Sequence, residues 1–278
     1  YRGGFDNIDL LIQSHAMDFE GDKNCFVSTN CNGFISKMVT FIGKAAHAGI
    51  APQDGINALN MAHLALGNIH AQRETFKEAD RVRVSAIVRD GGDIVNVVPS
   101  KVTMEALVRG ASLEAMLDAN KKTNRSLQAA ALALGGEVII EDGIGYLPLE
   151  TDRNLDAVVR GAVVELMGGT DQSIIEEYIT AGATDLGDIS HVKPCTHIWM
   201  GGIQGGLHTQ GYNVEDEYAA YVLPAKILAL SVIDLLYDKA PIAKEVIANF
   251  KPKLSKEQYL DLMQSHSSTY HFDYTEHN

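Results

Sequence analysis

The 278-residue sequence is poor in several residue types that would assign it to large classes of protein. It has three cysteines, an odd and sparse set that argues against a disulfide framework and favours a reducing compartment. Basic residues are scarce, since 23 Lys and Arg stand against 36 Asp and Glu, a formal net charge of −13. Nucleic-acid binding needs clustered Lys and Arg to contact phosphates, so we expect no nucleic-acid partner.

Long apolar runs and targeting signals are also missing from the sequence. No apolar run reaches the roughly 18 residues of a membrane-spanning helix. Residues 1–7 lack the charged start and apolar centre of a secretory signal. We therefore expect a cytoplasmic protein with no membrane partner. Residues 1–7 read like the middle of a longer protein, because a strand pattern begins almost at once.

Both ends of the sequence carry the pattern of an α/β domain. The near-continuous apolar run Ile8–Ser14 predicts a strand covered on both faces of a parallel sheet, ending at His15. From Thr151 onward, helical and buried-strand patterns return. We assign residues 1–32 and 147–250 to this outer domain and residues 251–278 to a C-terminal extension.

Residues 33–146 follow a different pattern, which predicts one inserted domain. A strand over 33–42 leads to a helix whose buried face is predicted to hold Ile56, Leu59, Ala62, Leu66 and Ile69. Two alternating strands follow, then a helix capped by Ser112 and stopped at Gly135, then a last strand. The order βαββαβ predicts a ferredoxin-like unit with one sheet face against the helices.

Two histidines of the outer domain suit a metal centre. His15 stands at the end of a buried strand, and His208 stands in a Gly-rich turn. Imidazole nitrogen is a preferred zinc ligand, but a catalytic zinc takes about three protein ligands. Two histidines therefore do not complete a site.

The inserted domain offers three polar candidates. His47 lies in a loop of small residues, Asn96 lies near a turn at Pro99, and Arg109 lies on the polar face of a strand. By default these are a loop histidine, a turn residue and a solvated cation. A guanidinium at Arg109 could instead bind a substrate carboxylate through paired hydrogen bonds.

Five motifs, in this order around the inserted domain, resemble the zinc aminoacylase, carboxypeptidase G and p-aminobenzoyl-glutamate hydrolase family of co-catalytic metallopeptidases. The motifs are Gly43-Lys44-Ala45-Ala46-His47-Ala48-Gly49 with Pro52 and Gly55-Ile56-Asn57-Ala58, then Asn96-Val97-Val98-Pro99, Arg109, Thr184-Asp185-Leu186-Gly187-Asp188-Ile189-Ser190 with Pro194, and Leu207-His208-Thr209.

The resemblance implies a fold, a reaction and a set of site residues. The fold would be a phosphorylase/hydrolase-like zinc-peptidase α/β domain with an inserted ferredoxin-like lid that forms homodimers. The reaction would be hydrolysis of an amide in a small substrate with a free carboxylate, using a two-zinc site. The implied roles are metal binding by His15 and His208, oxyanion stabilisation by His47, and substrate binding by Asn96, Arg109, Thr184 and Asp185.

The sequence departs from the family in one respect. The family has a His-x-Asp motif and a Glu-Glu pair ahead of the position of His15, and neither occurs there. His271-Phe272-Asp273 and Glu176-Glu177 are in the wrong order, so we reject both. The chain then resembles the C-terminal portion of such an enzyme, with half of a metal site. We expect this chain to be inactive alone. The alternatives are a non-catalytic dimerisation or regulatory module, or a site completed by a separately encoded half.

Overall fold

The computed structural model describes residues 3–19, 25–168, 174–176 and 179–277, and the chain divides into two compact units. Unit 1 combines Tyr1–Cys31 with Leu149–Tyr259. Unit 2 combines Asn32–Pro148 with Leu260–Asn278. Each unit has its own sheet and its own buried clusters, and together they give the mixed α/β fold that the sequence predicts.

The strands within the described residues are, in chain order, β1 (Leu11–Ala16), β2 (Cys25–Val27), β3 (Asn30–Cys31), β4 (Gly33–Ile42), β5 (Arg83–Asp90), β6 (Lys101–Gly110), β7 (Glu137–Tyr146), β8 (Ile174–Glu176), β9 (Ile179–Thr180), β10 (Cys195–Met200), β11 (Ile203–Gln204), β12 (Asn213–Val214) and β13 (Ser268–Asp273). The α-helices there are α1 (Ala58–Ala71), α2 (Leu113–Leu134), α3 (Arg153–Leu166), α4 (Leu186–Ser190), α5 (Leu223–Leu236), α6 (Pro241–Asn249) and α7 (Lys256–Ser265).

Unit 2 contains the predicted βαββαβ order, as β4-α1-β5-β6-α2-β7. Its five-stranded sheet has the order β13-β7-β4-β6-β5, and all neighbouring strands are antiparallel. Alternate residues of β4 and β6 are buried against α1 and α2, as a sheet with one covered face requires. The ferredoxin-like prediction is confirmed.

The predicted buried face of α1 is wrong in part. The side chain of Asn57 accepts a hydrogen bond from the Asn60 backbone N–H, so the helix begins at Ala58 and Ile56 precedes it. Leu59 is exposed, and Met61 and Ala65 are buried instead. By contrast, α2 begins at the predicted Ser112 cap and ends at Gly135, whose φ of 64° is left-handed.

The segment that we separated as an extension contributes a strand to the sheet of unit 2. Strand β13 pairs with β7 from Ser268↔Asp142 to Asp273↔Glu137. Phe272 and Tyr274 pack against the buried cluster between the sheet and its helices. Therefore β13 forms one edge of this sheet, and β5 forms the other.

Unit 1 has a four-stranded sheet of order β1-β10-β2-β8, in which β1 and β10 are parallel. Helices α3 and α5 contribute to the buried cluster beside it. Strand β1 begins at Leu11 rather than Ile8, continues through His15 to Ala16, and is half-buried apart from the exposed His15. The side chains of β1 are half-buried rather than buried, and β1 lies at the sheet edge, where it pairs only with β10 among the described residues.

One helical stretch, Tyr218–Lys239, is 22 residues long and apolar enough to cross a membrane by length and composition alone. The sequence-based expectation that no apolar run is long enough to span a membrane did not include this stretch, because Lys226 and Asp234 interrupt it. The stretch opens with a π-helical turn, and Pro224 falls in the first turn of α5, where its missing N–H costs little. Core helices of soluble proteins pass the same test, so it is weak evidence for a membrane.

A buried ion pair ties β4 to β7 beneath α2. Lys37 Nζ lies 2.5 Å from Asp142 Oδ1, and both side chains are almost fully buried. Asn120 and Asn124 donate to Asp142 Oδ2 at 2.8 and 3.0 Å. Burial lowers the pKa of Lys37, and the Asp142 charge opposes that effect. The buried charges of Lys37 and Asp142 are compensated only while each retains the other and its hydrogen-bond partners.

Replacing Asp142 with Ala should leave Lys37 buried without its counter-charge. We expect the free energy of unfolding in urea to fall by about 3–5 kcal/mol. The matched control is Arg89→Ala, which breaks the exposed pair between Arg89 and Glu105 and should cost less than about 1 kcal/mol. Equal losses in the two variants would contradict the role of burial.

Candidate functional site

The parallel register of β1 and β10 places four polar or aromatic side chains on one face of unit 1. Gln13 lies opposite His197, and His15 lies opposite Trp199. Because alternate strand residues share a face, all four belong to the same face. This face ends at the carboxyl ends of two parallel strands, where α/β sheets commonly bind ligands.

His15 and His197 contact each other directly. His15 Nδ1 lies 2.7 Å from His197 Nε2, and the two rings meet edge to face. The Trp199 ring lies 4.9 Å from the His15 ring, between centroids. His197 is fully buried, and burial lowers its pKa to about 3. Burial also lowers the pKa of His15, while the Asp185 charge acts in the opposite direction.

His197 is not among the site residues predicted from the sequence. It lies within the apolar run of β10, where a histidine is ordinarily a packed core residue. The signal that could have identified it is the pairing of β10 with β1, which brings positions 13 and 197 side by side. That pairing joins segments far apart in the chain and cannot be inferred from either segment alone.

Thr184 and Asp185 lie against β1 at the start of α4. Asp185 Oδ1 accepts a hydrogen bond from Gln13 Nε2 at 3.1 Å, and this bond is the largest cause that lowers the pKa of Asp185. Thr184 Oγ1 lies 3.1 Å from Gln13 Oε1 and 3.2 Å from Asp185 Oδ1. The structure therefore places this loop on the strand that carries His15.

The loop between β11 and β12 carries His208. Two hydrogen bonds tie this loop to the end of β1: Gly205 N donates to Asp18 Oδ2 at 2.8 Å, and Tyr212 OH donates to Ala16 O at 2.9 Å. His208 is exposed and has a φ of 61°, which is uncommon for a residue with a side chain. Both proposed metal-binding histidines thus belong to connected segments of unit 1.

These residues fit a zinc site only in part. His15 and His208 supply imidazole nitrogens, which suit zinc. However, within the described residues no group of three or more His, Cys, Asp or Glu side chains is placed to hold a metal ion. The three cysteines are buried, and burial raises their thiol pKa values to about 12. Of the rejected motifs, His271-Phe272-Asp273 lies on β13, and Glu177 lies outside the described residues.

In unit 2, backbone pairing brings His47 beside Asn96. His47 forms an isolated antiparallel bridge with Val97, and Ala48 N donates to Asn96 O at 2.9 Å. A second bridge, between Lys44 and Ile56, closes the loop that follows β4. His47 and Asn96 are both exposed, so their side chains are accessible on adjoining segments.

The loop also selects the tautomer of His47. The backbone N–H groups of Gly49 and Ile50 both lie 3.2 Å from His47 Nδ1, which therefore accepts and carries no proton. In the neutral ring the proton is then on Nε2. An Nε2–H donor on an exposed loop is suited to stabilise a developing oxyanion.

Arg109 lies at the opposite end of the same sheet. It pairs with Phe34 on β4, and its guanidinium carbon lies 5.5 Å from the centre of the Phe34 ring. His47 follows Ile42, which pairs with Lys101 at the far end of β6. At about 3.3 Å per strand residue, roughly 26 Å separates the two ends. Unit 2 of one protomer therefore does not bring Arg109 and His47 to one small substrate.

Residues 31–133 match the Peptidase dimerisation domain. The chain is 28% identical to Xaa-Arg dipeptidase of Mus musculus over 267 residues, which cover 93% of this chain and 60% of that protein. It is also 37% identical to one of the subunits of p-aminobenzoyl-glutamate hydrolase from Escherichia coli (strain K12) over 95 residues, or 34% of this chain and 21% of that protein.

A solved structure of an aminobenzoyl-glutamate utilization protein from Klebsiella pneumoniae has the same fold. Its TM-score is 0.65 at 19% identity, over 86% of this chain and 57% of that one. The match to Xaa-Arg dipeptidase includes most of this chain. The chain spans only about 60% of the dipeptidase's length.

Gly43 is a direct test of the His47 loop. A Cβ at this position would lie 2.0 Å from the Ile56 carbonyl oxygen, so Gly43→Ala must displace the Lys44–Ile56 bridge. We expect a lower melting temperature and shifted His47 resonances in NMR spectra. The matched control is Gly67→Ala on α1, which meets nothing within 4 Å. That change should be neutral or stabilise by about 0.5–1 kcal/mol, and a similar loss in both variants would contradict the packing argument.

Proposed function

Because the chain carries a peptidase dimerisation domain and is homologous to Xaa-Arg dipeptidase and p-aminobenzoyl-glutamate hydrolase, we propose that it is the larger part of a metal-dependent amidohydrolase or peptidase. The substrate would be an N-acyl amino acid, a dipeptide or an aminobenzoyl-glutamate-like amide. The observation that carries the proposal is the His47 loop, which presents an Nε2–H donor beside Asn96.

Each site residue has one role in this proposal. His47 would donate to the oxyanion that forms when water attacks the amide carbonyl. Asn96 would bind that carbonyl, and Arg109 would bind the free carboxylate through paired hydrogen bonds. Thr184 and Asp185, held against Gln13, would be substrate-binding residues of unit 1.

His15 and His208 would supply two ligands of a zinc site or of a site for another divalent metal. When bound, such a metal lowers the pKa of a coordinated water and polarises the carbonyl. Since the described residues do not complete a ligand set, the remaining ligands would come from a further polypeptide segment. The chain alone is then expected to be inactive.

Unit 1 has a surface that such a segment would cover. Among the described residues, β1 pairs on one side only. Helix α5 exposes Val232, Ile233 and Leu236, and a cavity of about 390 Å³ lies between this helix, α6 and residues 7–10. A strand would satisfy the edge, which lipid cannot do because it has no hydrogen-bonding groups. We therefore favour a polypeptide partner over a membrane at this surface.

A homodimer would explain how one substrate meets both His47 and Arg109. The two residues lie at opposite ends of the sheet in each protomer. A two-fold axis would allow His47 and Asn96 of one protomer to approach a site in its partner, where that partner's own Arg109 binds the carboxylate. Strand β5 is an edge strand with exposed Ile87 and Val88, and it is the surface we propose for this contact.

The second candidate function is a non-catalytic dimerisation or regulatory module. The observation that favours it is the incomplete ligand set of the described residues. It predicts no hydrolysis by any longer protein that contains this sequence, whereas the leading proposal predicts metal-dependent hydrolysis. A single assay therefore separates the two.

In a longer protein that contains this sequence, we expect hydrolysis of N-acyl amino acids, dipeptides or p-aminobenzoyl-glutamate, lost on chelation and regained with zinc. Arg109→Ala should lower kcat/KM about 10–100-fold by removing a charged hydrogen bond to the carboxylate. Arg83→Ala is the matched control, since Arg83 lies opposite Arg109 but donates to its own neighbour's carbonyl. Hydrolysis that resists chelators, or equal losses in both variants, would refute the assignment.

Mixing two variants of that protein, each impaired in activity, tests the shared site. His47→Ala and Arg109→Ala homodimers each lack one group at every site, but a mixed dimer has one intact site. After exchange of protomers we expect about a quarter of the wild-type activity, as two-fold symmetry dictates. No recovery in a mixture shown to contain mixed dimers would contradict the two-protomer site.

The β5 contact provides the control for that experiment. Ile87→Lys puts a charge on the proposed interface and should shift the protein from dimer to monomer in sedimentation velocity. The same exchange of His47→Ala and Arg109→Ala protomers, each also carrying Ile87→Lys, should then recover no activity. A dimer that survives Ile87→Lys would place the interface elsewhere.

A further inference from the structure

We infer that Phe34 is a positioning residue for Arg109: its ring, held in place by a β-bulge at Gly145, supports the guanidinium in the position from which it binds a substrate carboxylate. This role of Phe34 rests on the carboxylate-binding role of Arg109 in the proposed function. It adds a residue that acts through Arg109 rather than on the substrate, together with the backbone irregularity that makes room for its ring.

Phe34 lies in a row of paired residues that crosses three strands of the unit 2 sheet. It pairs with Arg109 of β6 on one side and with Tyr146 of β7 on the other. Residues paired directly across antiparallel strands share a face of the sheet. Ile35, the next residue of β4, is fully buried, so Phe34 lies on the face opposite the helices, where it is half-buried.

The pairing of β4 with β7 becomes irregular at Phe34. Ile35 pairs with Ile144, whereas Phe34 pairs with Tyr146. Strand β7 therefore carries one extra residue, Gly145, which makes a β-bulge. The Tyr146 ring meets the Phe34 ring edge to face, with 5.3 Å between their centroids. The bulge thus gives the Phe34 ring an aromatic neighbour, where an unbroken register would place a glycine.

Gly145 also leaves the space that the Phe34 ring fills. A Cβ on Gly145 would lie 2.2 Å from both Cε2 and Cζ of that ring, far inside contact distance. Any side chain at position 145 must therefore push the ring away, whereas glycine lets it lie close to the backbone of β7. Gly145 and Tyr146 together confine the ring on the β7 side, and its neighbour on the β6 side is Arg109.

The contact between Phe34 and Arg109 suits a cation that must bind an anion. The guanidinium carbon lies 5.5 Å from the centre of the Phe34 ring, within the roughly 6 Å of a cation–π contact. An aromatic ring, unlike an Asp or Glu partner, attracts the cation without neutralising its charge. Paired hydrogen bonds to a carboxylate need an oriented guanidinium plane, and a side chain ordered before binding loses less conformational entropy. The Phe34 ring therefore orders Arg109 for a carboxylate and leaves its charge intact.

The first test uses Phe34→Leu in the longer protein that contains this sequence. Leucine keeps apolar volume but has no ring face, so we expect KM for N-acyl amino acids to rise about 2–5-fold. The value of kcat should stay unchanged, because the carboxylate contact is the same in the ground state and the transition state. With the carboxamide of the same substrate, Phe34→Leu should change neither constant, since that substrate presents no anion to Arg109.

Gly145→Ala is a second variant, in which Phe34 and Arg109 are both still present. Its methyl group must displace the Phe34 ring, so it should raise KM for the carboxylate substrate by a similar factor. The matched control is Gly143→Ala on the same strand, where a Cβ would lie 3.5 Å from Ser36 Oγ, an ordinary contact. That change should leave KM as in the wild type.

A double-mutant cycle shows whether Phe34 acts through Arg109. In an Arg109→Ala background the guanidinium is gone, so adding Phe34→Leu should raise KM no further. In this chain alone, the Phe34 ring should shift the Arg109 Nε–H resonance, and Phe34→Leu should remove that ring-current shift from spectra of the ¹⁵N-arginine-labelled chain. The spectra need no hydrolysis, and the melting temperature of each variant shows that it is folded.

Three results would overturn the role of Phe34. One is an unchanged KM for the carboxylate substrate in folded Phe34→Leu or Gly145→Ala. Another is a rise in KM of the same size in the Arg109→Ala background or with the carboxamide, which would mark a general structural effect. The third is an Arg109 Nε–H resonance that does not move in Phe34→Leu.

Arg109→Ala separates this role from the proposed function. If the longer protein does not hydrolyse N-acyl amino acids, or if Arg109→Ala leaves their KM unchanged, the proposed function is wrong and the role of Phe34 falls with it. If Arg109→Ala raises KM but Phe34→Leu does not, Arg109 still binds the carboxylate and only the role of Phe34 is wrong.

Discussion

Strand β4 hydrogen-bonds along its length to β6 on one side and to β7 on the other, and the geometry of unit 2 depends on this ladder. This ladder fixes which residues of β4, β6 and β7 lie side by side and which residues lie at each end of the sheet. Because β4 runs antiparallel to β6, the loop that carries His47 and the strand position of Arg109 lie at opposite ends. The Lys37–Asp142 pair bridges β4 and β7 below the helices and opposes any slip in that register.

Local signals in the sequence predicted the parts of the fold that depend on local chemistry. Ser112 and Gly135 bound α2 because a side-chain acceptor and a left-handed glycine act within one helical turn. The predicted face of α1 was wrong at Leu59 because, at 3.6 residues per turn, the buried face centres on Ala58, Ala62, Ala65 and Ile69 and leaves Leu59 at its flank. Strand β13 escaped prediction because its partner β7 is more than a hundred residues away in the chain.

Some features of the candidate site likewise follow from the local sequence, and others depend on contacts that only the structure shows. The motif residues His15, His47 and Arg109 were identifiable in the sequence, and the structure adds their surroundings. His197 was not identifiable, because its contact with His15 depends on the pairing of β10 with β1. The tautomer of His47 was equally hidden, since it depends on the backbone N–H groups of Gly49 and Ile50 turning toward one ring nitrogen.

Two sheet edges, β1 and β5, show where another polypeptide would pair with this chain to complete the proposed catalytic site. Each edge has one row of backbone groups without a strand partner in the described residues, and each has apolar side chains nearby. An edge of this kind is stabilised best by another strand, which satisfies the backbone and covers the apolar surface at once. A further segment paired with β1 would lie beside the strand that carries His15. A second copy of the chain paired at β5 would bring its His47 loop to the first copy. The proposed metal ligands of unit 1 and the separated His47 and Arg109 of unit 2 would therefore both be completed by pairing with another strand.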